Sequence, residues 1–166
     1  MIRTGNGIDV HRFDDLSEVT SDENEIILGG VRIPHERCLL AHSDGDVLTH
    51  ALMDALLGAL ALGDIGSHFP DSDEQYKDVS SLVLLDEVTA KVSEEGWQLG
   101  NADITVVAQS PKLSPHILTI RESLASRMKV DIDQISIKAT TSEGLGFTGR
   151  GEGIAVFVTV LLTLAS

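Results

Sequence analysis

Apolar and polar positions alternate in several segments of the chain, and in others they recur at helical spacing. Ala102 to Ala108 alternates with Ile104 and Val106 on one face, and Ile135, Ile137 and Ala139 alternate with Ser136, Lys138 and Thr140. Both patterns predict strands. Ile26 to Pro34 predicts short strands around the turn residues Gly29 and Gly30. Asp46 to Leu62 predicts a first helix, ended by Gly63 at the C′ position. Asp78 to Glu95 predicts a second, with Leu85, Val88 and Val92 at helical spacing and Gly96 after it. Ser114 as N-cap and Pro115 at the first helical position open a third, running to about Met128 with Ile117, Leu124 and Met128 inward. Ile154 to Leu162 is apolar on nearly both faces, as in a strand central to a covered sheet or buried against another subunit. With few helices available to cover two faces, the second arrangement is favoured: an α+β domain in an oligomer whose sheets pack together.

No repeat, low-complexity tract or linker divides the chain, so residues 1–166 read as a single domain with a real core, at 42% hydrophobic content. The acidic, polar stretch Asp14 to Glu25 reads as a surface loop. The net charge of −14, from 12 basic against 26 acidic residues, argues against a nucleic-acid partner. It leaves room for a small phosphorylated substrate held by a metal and a few donors. A lone Cys38 excludes an intramolecular disulfide and suits a reducing compartment. Met1 to Phe13 shows no secretory pattern. The longest mainly apolar stretches, Ala51 to Leu62 and Ile154 to Ala165, fall short of the roughly 20 residues that span a bilayer. A soluble, cytoplasmic protein without membrane contact is expected.

Chemistry concentrates first at Asp9 and His11, two apart in a β-like run and so on one strand face. His50 lies one helical turn beyond Asp46. An Asp-x-His pair plus one more imidazole makes a three-ligand set for zinc or a similar divalent ion, with a fourth position open for substrate. Around His50 the first helix is apolar except for the line Asp46, His50, Asp54, and buried helices rarely keep ionisable residues without a partner. In that setting Asp54 or Asp46 would orient an imidazole; the alternative is a solvated stripe on a surface helix. His42 precedes the helix in a Ser-Asp-Gly-Asp turn, where a phosphate-contacting imidazole and an ordinary loop histidine both remain open. His35, His68 and His116 read as surface or capping residues. Downstream, Lys138 to Glu143 enters a run carrying Gly144, Gly146, Gly149, Gly151 and Gly153. Glycines there let backbone amides approach a ligand, with Thr140, Thr141 and Arg150 as added donors and Glu143 as an oxygen ligand suited to Mg²⁺. The run is neither a Walker A loop nor a dinucleotide fingerprint.

Read together, Gly7 to Phe13, Leu28 to Pro34, Ala41 to Val47, His50, Asp54 to Gly58, Asp64 to Gly66, Phe69 to Asp71, Ala108 to Leu113 and Lys138 to Gly153 resemble the 2-C-methyl-D-erythritol 2,4-cyclodiphosphate synthase family, in order and at family length. The resemblance implies an α+β fold with a mixed sheet, helices on one face, and sheets packed around the threefold axis of a homotrimer with shared sites. It implies conversion of 4-diphosphocytidyl-2-C-methyl-D-erythritol 2-phosphate to the cyclic diphosphate with release of CMP. By matching position, Asp9, His11 and His50 resemble the zinc ligands, and Glu143 the holder of a second ion, Mg²⁺ or Mn²⁺. His42 and Ser43 resemble the phosphate-contacting pair, and His42 with Thr141 the stabilisers of the transition state. Asp64, Ile65 and Gly66, with Phe69, Pro70, Asp71, Ser72 and Asp73, resemble the methylerythritol-binding part. Ala108, Gln109, Ser110, Pro111, Lys112 and Leu113, with Ala139, Thr140, Thr141 and Ser142, would hold the cytidine, and Phe147 and Arg150 resemble ligand-contacting positions. Some members also bind isoprenoid diphosphates in an apolar central cavity.

Asn6 and Ile8 stand where many relatives have His and Phe, and Gly144 where some have Lys, which implies altered first-strand packing rather than lost activity. Two rival readings follow from the same ligands. One is a metal-dependent phosphohydrolase or carbonyl-activating lyase with a metal-bound water as nucleophile. The other is a non-catalytic trimer that senses an isoprenoid diphosphate.

Overall fold

Strict alternation explains the first strand, β1 (Ile2–Arg12), in which Gly5 and Gly7 are buried between exposed neighbours. The computed structural model describes residues 1–14, 24–41, 43–70, 72–76 and 79–165. Most of the expected acidic loop, together with His42 and Asp71, lies outside them. Two short strands, β2 (Glu25–Leu28) and β3 (Val31–Pro34), pair as a hairpin around Gly29 and Gly30, both at positive φ. The helix α1 (Val47–Ala59) follows, then the single turn α2 (Ile65–His68), a 3-10 turn at Glu74–Tyr76, and α3 (Ser81–Glu94). The remainder is β4 (Trp97–Val107), α4 (Ile117–Met128), a 3-10 turn at Ile132–Gln134, β5 (Ile135–Thr140), the turn α5 (Gly146–Gly149) and β6 (Gly153–Leu164).

The main sheet has the order β1-β6-β4-β5. β6 runs antiparallel to both neighbours, whereas β4 and β5 are parallel, so the sheet is mixed. Helices α1, α3 and α4 cover one face: α1 lies on β1 and β6, α3 against β4, and α4 against β5. On β6, Ile154, Val156, Val158, Val160 and Leu162 point under the helices and are buried. The alternate positions face away, and there Phe157 is 44% exposed, beside its register partner Ile8 at 60% and near Val10 at 47%. The doubly apolar pattern of the last strand is therefore real, and the described residues leave its second face uncovered. Asn6 and Ile8 belong to that open face, where Asn6 Nδ2 donates to Thr159 Oγ1 at 2.7 Å.

Several boundaries depart from expectation. The first helix ends at Ala59, three residues early, because Ala61 itself takes the left-handed conformation (φ 58°) and Gly63 (φ 87°) lies beyond the cap. The third begins at Ile117 rather than Pro115, since the His116 amide closes a turn onto Leu113 O at 2.9 Å before the helix starts. The strand expected from Ala102 starts at Trp97, with a register shift at Leu99/Asn101 that breaks the alternation.

Two contacts fix α1. Asp46 caps it and is completely buried. Its Oδ1 accepts from Thr49 N (3.0 Å) and Gly29 N (2.9 Å), and its Oδ2 from Thr49 Oγ1 (2.8 Å) and Gly30 N (2.7 Å). One carboxylate thus ties the β2–β3 turn to the helix start, and although burial pushes its pKa up, these donors oppose the shift. Asp46→Ala strands four donors at once. It should cost about 2–4 kcal/mol in denaturant unfolding, and a loss below about 0.5 kcal/mol would contradict this role.

The second contact is between backbones. A Cβ at Gly5 would stand 2.0 Å from Ala55 O, and one at Gly7 1.9 Å from Ala51 O. Glycine on the strand facing alanine on the helix lets β1 and α1 approach more closely than any side chain would permit.

Candidate functional site

That close approach assembles the site. Asp9 and His11 leave the same face of β1, and His50 comes from the first turn of α1, directly above them. Asp9 Oδ2 lies 3.0 Å from His11 Nε2 and 3.2 Å from His50 Nδ1, and the two nitrogens are 3.4 Å apart. The triangle is one carboxylate oxygen and two imidazole nitrogens, the only such group of three potential metal donors among the described residues. Its edges match a tetrahedral ion with bonds of about 2.0–2.1 Å, whose ligand atoms stand about 3.3–3.4 Å apart. The donor set therefore fits a small divalent cation.

Electrostatics favour the same conclusion. Burial pushes the Asp9 carboxyl up, but hydrogen bonds and charge attraction from His11 and His50 outweigh it and hold the group well below the ordinary carboxylate range. At His50, burial pulls the imidazole down, yet Asp9, then Asp46 and Asp44, overcome it and raise its pKa. An ionised carboxylate beside two imidazole nitrogens, with His50 drawn toward its charged form, is a site where a cation would replace protons.

The polar line on the first helix is buried at Asp46 and His50 and half-buried at Asp54, but its two carboxylates do not orient an imidazole. Asp46 is the cap described above. Asp54 Oδ1 accepts from Ile65 N at 2.8 Å and holds the start of α2, its pKa raised by burial. Behind His50 stand two other groups: Ser81 Oγ at 2.8 Å and Ser43 Oγ at 3.2 Å from Nε2. Ser81 in turn bonds Asp44 through both its amide (2.8 Å) and its hydroxyl (2.5 Å). Sequence reasoning missed Ser81, which lies inside the helix expected from Asp78 and 31 residues along the chain from His50.

A cleft of about 680 Å³ opens over the triangle. Of the expected substrate residues it is lined by Asp9, His11, Ser43, Ile65, Gly66, Phe69, Ser72 and Asp73. Asp64 instead caps α2 through Ser67, with bonds of 2.8 and 2.7 Å. Leu40, Glu74, Tyr76 and Leu84 also line the cleft, without having been singled out in sequence. His35 stacks on Phe13 at 4.6 Å and His68 bonds Leu62 O at 2.9 Å, so neither joins the triangle.

The remaining expected residues form a second group. Ala108 N donates to Thr140 O at 3.0 Å, which joins the segment from Ala108 to Leu113 to the segment from Ala139 to Glu143 at the ends of the parallel pair. Thr141 Oγ1 donates to Glu143 Oε1 at 3.0 Å, with Glu143 at φ 53° and Gly144 at φ 77°. Arg150 is clamped by Glu152 at 2.6 and 3.2 Å, and Phe147 is 40% exposed. None of this group lines the cleft. Asp9, Val156, Val106 and Ala139 stand in one row across the sheet, so the two groups sit about 14 Å apart, three strand spacings, at the same end of the sheet.

A one-sided mixed sheet carrying a carboxylate–imidazole triangle in an open cleft defines an α+β protein with a candidate divalent-cation site. The chain belongs to the YgbB family, whose model matches residues 2–163. It is 58% identical over 161 residues to the 2-C-methyl-D-erythritol 2,4-cyclodiphosphate synthase of Pseudomonas entomophila, covering 97% of this chain and 98% of that protein. Among solved structures, the bifunctional IspDF of Campylobacter jejuni matches with a TM-score of 0.90 at 46% identity, over 99% of this chain. The match spans only 42% of that bifunctional chain. IspF of Plasmodium falciparum, in a complex with CDP, matches with a TM-score of 0.84 at 34% identity, over 99% of this chain and 97% of the other. These similarities give no support to the phosphohydrolase or the non-catalytic alternative.

Proposed function

We propose that residues 1–166 form one 2-C-methyl-D-erythritol 2,4-cyclodiphosphate synthase domain, which converts 4-diphosphocytidyl-2-C-methyl-D-erythritol 2-phosphate to the cyclic diphosphate and CMP. The observation that carries this reading is 58% identity to a protein of that name over nearly the whole of both chains. In the reaction an oxygen of the 2-phosphate bonds to the β-phosphorus, the bond from that phosphorus to the oxygen bridging the diphosphate breaks, and CMP leaves with that oxygen. Attack is intramolecular, so the protein supplies no nucleophile; it folds the substrate and stabilises developing charge.

Asp9, His11 and His50 would hold zinc, and Glu143 a second divalent ion, Mg²⁺ or Mn²⁺, near the substrate diphosphate. When bound, these ions supply charge neutralisation at the phosphates. His42 and Ser43 would contact phosphate, and His42 with Thr141 would steady the transition state. The methylerythritol part would lie in the cleft along Ile65, Gly66, Phe69, Ser72 and Asp73, with Asp64, Pro70 and Asp71 as further positions implied by the resemblance. The cytidine would lie along Ala108 to Leu113 and Ala139 to Ser142, near Phe147 and Arg150, with Lys112 adding positive charge.

The two groups occupy opposite halves of the sheet, which suits sites completed between neighbouring chains of a homotrimer. The open face carrying Ile8, Val10 and Phe157 supplies apolar surface for packing around a threefold axis, and such a face would also enclose a cavity for an isoprenoid diphosphate. No helix among the described residues is long and apolar enough to cross a membrane, in keeping with a cytoplasmic location.

The test is CMP release from this substrate with Mg²⁺ or Mn²⁺ and zinc, with and without chelator, and ³¹P NMR of the second product. Chelator-sensitive release with a cyclic diphosphate is expected. A linear product, or no turnover by folded, zinc-loaded protein, would overturn the assignment.

A further inference from the structure

The hydrogen bonds behind His50 constrain where its proton sits. We propose that Asp44 and Ser81 are positioning residues that fix the tautomer of His50, keeping the hydrogen on Nε2 and presenting Nδ1 to the metal as a bare lone pair. This rests on the metal-site reading above and adds to it two residues that touch neither metal nor substrate.

The argument is a count of hydrogens. Ser81 is completely buried at the first position of α3. Its backbone amide reaches Asp44 Oδ2 at 2.8 Å and its hydroxyl reaches Asp44 Oδ1 at 2.5 Å. An ionised carboxylate only accepts, so both bonds are donated by Ser81, and the hydroxyl has one proton to give. With that proton directed at Asp44, Ser81 Oγ offers only lone pairs to His50 Nε2, 2.8 Å away. Nε2 must therefore bring the hydrogen. A neutral imidazole carries one N–H, which leaves Nδ1 unprotonated, and Nδ1 is the atom facing Asp9 Oδ2 and His11 Nε2.

The opposite tautomer is disfavoured by the same geometry. A hydrogen on Nδ1 would gain Asp9 Oδ2 as an acceptor at 3.2 Å, but Nε2 would then need a hydroxyl to donate to it. Donation from Ser81 would leave its oxygen and a carboxylate oxygen 2.5 Å apart with no hydrogen between them. Donation from Ser43, 3.2 Å away, would leave Ser81 Oγ against Nε2 at 2.8 Å with none. The 2.5 Å separation instead suits a hydroxyl donating to a charged acceptor.

Asp44 can hold Ser81 this firmly because it also does the work of a helix cap. Ser80, the formal N-cap of α3, makes no side-chain capping bond. The carboxylate that receives the Ser81 amide arrives instead from the turn before α1, so one residue joins the start of α3 to the imidazole on α1. Hydrogen bonding of this kind raises ligand basicity and removes the cost of reorienting the ring when a metal binds.

The deciding experiment reads long-range ¹H–¹⁵N correlations of ¹⁵N-histidine-labelled, metal-free protein at a pH where His50 is neutral, with the His50 signal assigned by its loss in His50→Ala. A hydrogen on Nε2 is expected; a hydrogen on Nδ1 overturns the proposal. Ser81→Ala should then weaken Zn²⁺ binding by about 10- to 100-fold, measured by competition with a chromophoric chelator, while circular dichroism is unchanged. A folded Ser81→Ala protein that binds Zn²⁺ within about twofold of wild type also overturns the proposal. Should that variant not fold, the wild-type spectrum decides alone. If the tautomer is as expected but His50→Ala binds Zn²⁺ as tightly as wild type, the failure belongs to the metal-site reading and not to the relay.

Discussion

Replacing His50 by alanine should remove the divalent ion from the Asp9–His11 pair and reduce CMP release by at least about a hundredfold, while the fold survives. The first half follows from ligand count: two protein donors hold a borderline-soft ion far less well than three, and even losing a group that only orients a ligand costs about 10–100-fold in affinity. The second half follows from packing. His50 is buried at the first turn of α1, but the helix is anchored independently by Asp46 at its cap and by β1 along its length. The imidazole, moreover, contributes little to the apolar core. Metal content by mass spectrometry, turnover and circular dichroism check the three parts together. Undiminished metal with full turnover would sink the ligand assignment. Acid should reproduce the effect reversibly in the wild type. The pKa of His50 is raised above its ordinary value of 6.5, so protons compete with the ion from that pH range downward, and affinity should fall as pH falls.

Much of this site was legible because its parts obey local rules. Asp9 and His11 share a strand face by period-two geometry, and His50 belongs to a polar line on an otherwise apolar helix. Both patterns survive folding because the sheet and helix that carry them are regular. The roles of Asp46 and Asp54 were misjudged for a physical reason. A carboxylate near a metal helix can orient a ligand or satisfy backbone amides, and the choice depends on where the β2–β3 turn and α2 arrive, which no periodicity encodes. Ser81 was invisible for the same reason, since it meets His50 across a separation of 31 residues. Helix ends failed where a non-glycine residue, Ala61, took the left-handed position usually assigned to glycine. That β6 carries apolar residues on both faces was legible in its composition, though composition does not say what covers the second face.

Adding one methyl group at Gly7 should do more damage to the fold than any single change at the surface. In Gly7→Ala the new Cβ would lie 1.9 Å from Ala51 O and 2.9 Å from both Ala51 C and Ala55 N. All three atoms are backbone, so no rotamer change relieves the clash; either β1 leaves its ladder with β6 or α1 lifts off the sheet. Core overpacking commonly costs about 1–3 kcal/mol and more where the obstacle is rigid, so a loss of about 3 kcal/mol or greater is expected. That is a large part of a domain's marginal stability, and it corresponds to a fall in Tm of roughly 10 °C for a chain of this size. The site should suffer with the fold, because Ala51 adjoins His50 and lifting the helix widens the triangle that Asp9 and His11 complete. Gly58→Ala provides the control. It makes the same chemical change within α1, where the added Cβ meets only Asn6 O at 3.9 Å. There alanine's better helix propensity should raise stability by about 0.5–1 kcal/mol without altering metal affinity. Opposite signs for one methyl group, at two glycines of the same strand–helix contact, would establish that backbone approach governs both stability and metal binding. A Gly7→Ala protein within about 0.5 kcal/mol of wild type would show that the contact is looser than this geometry requires.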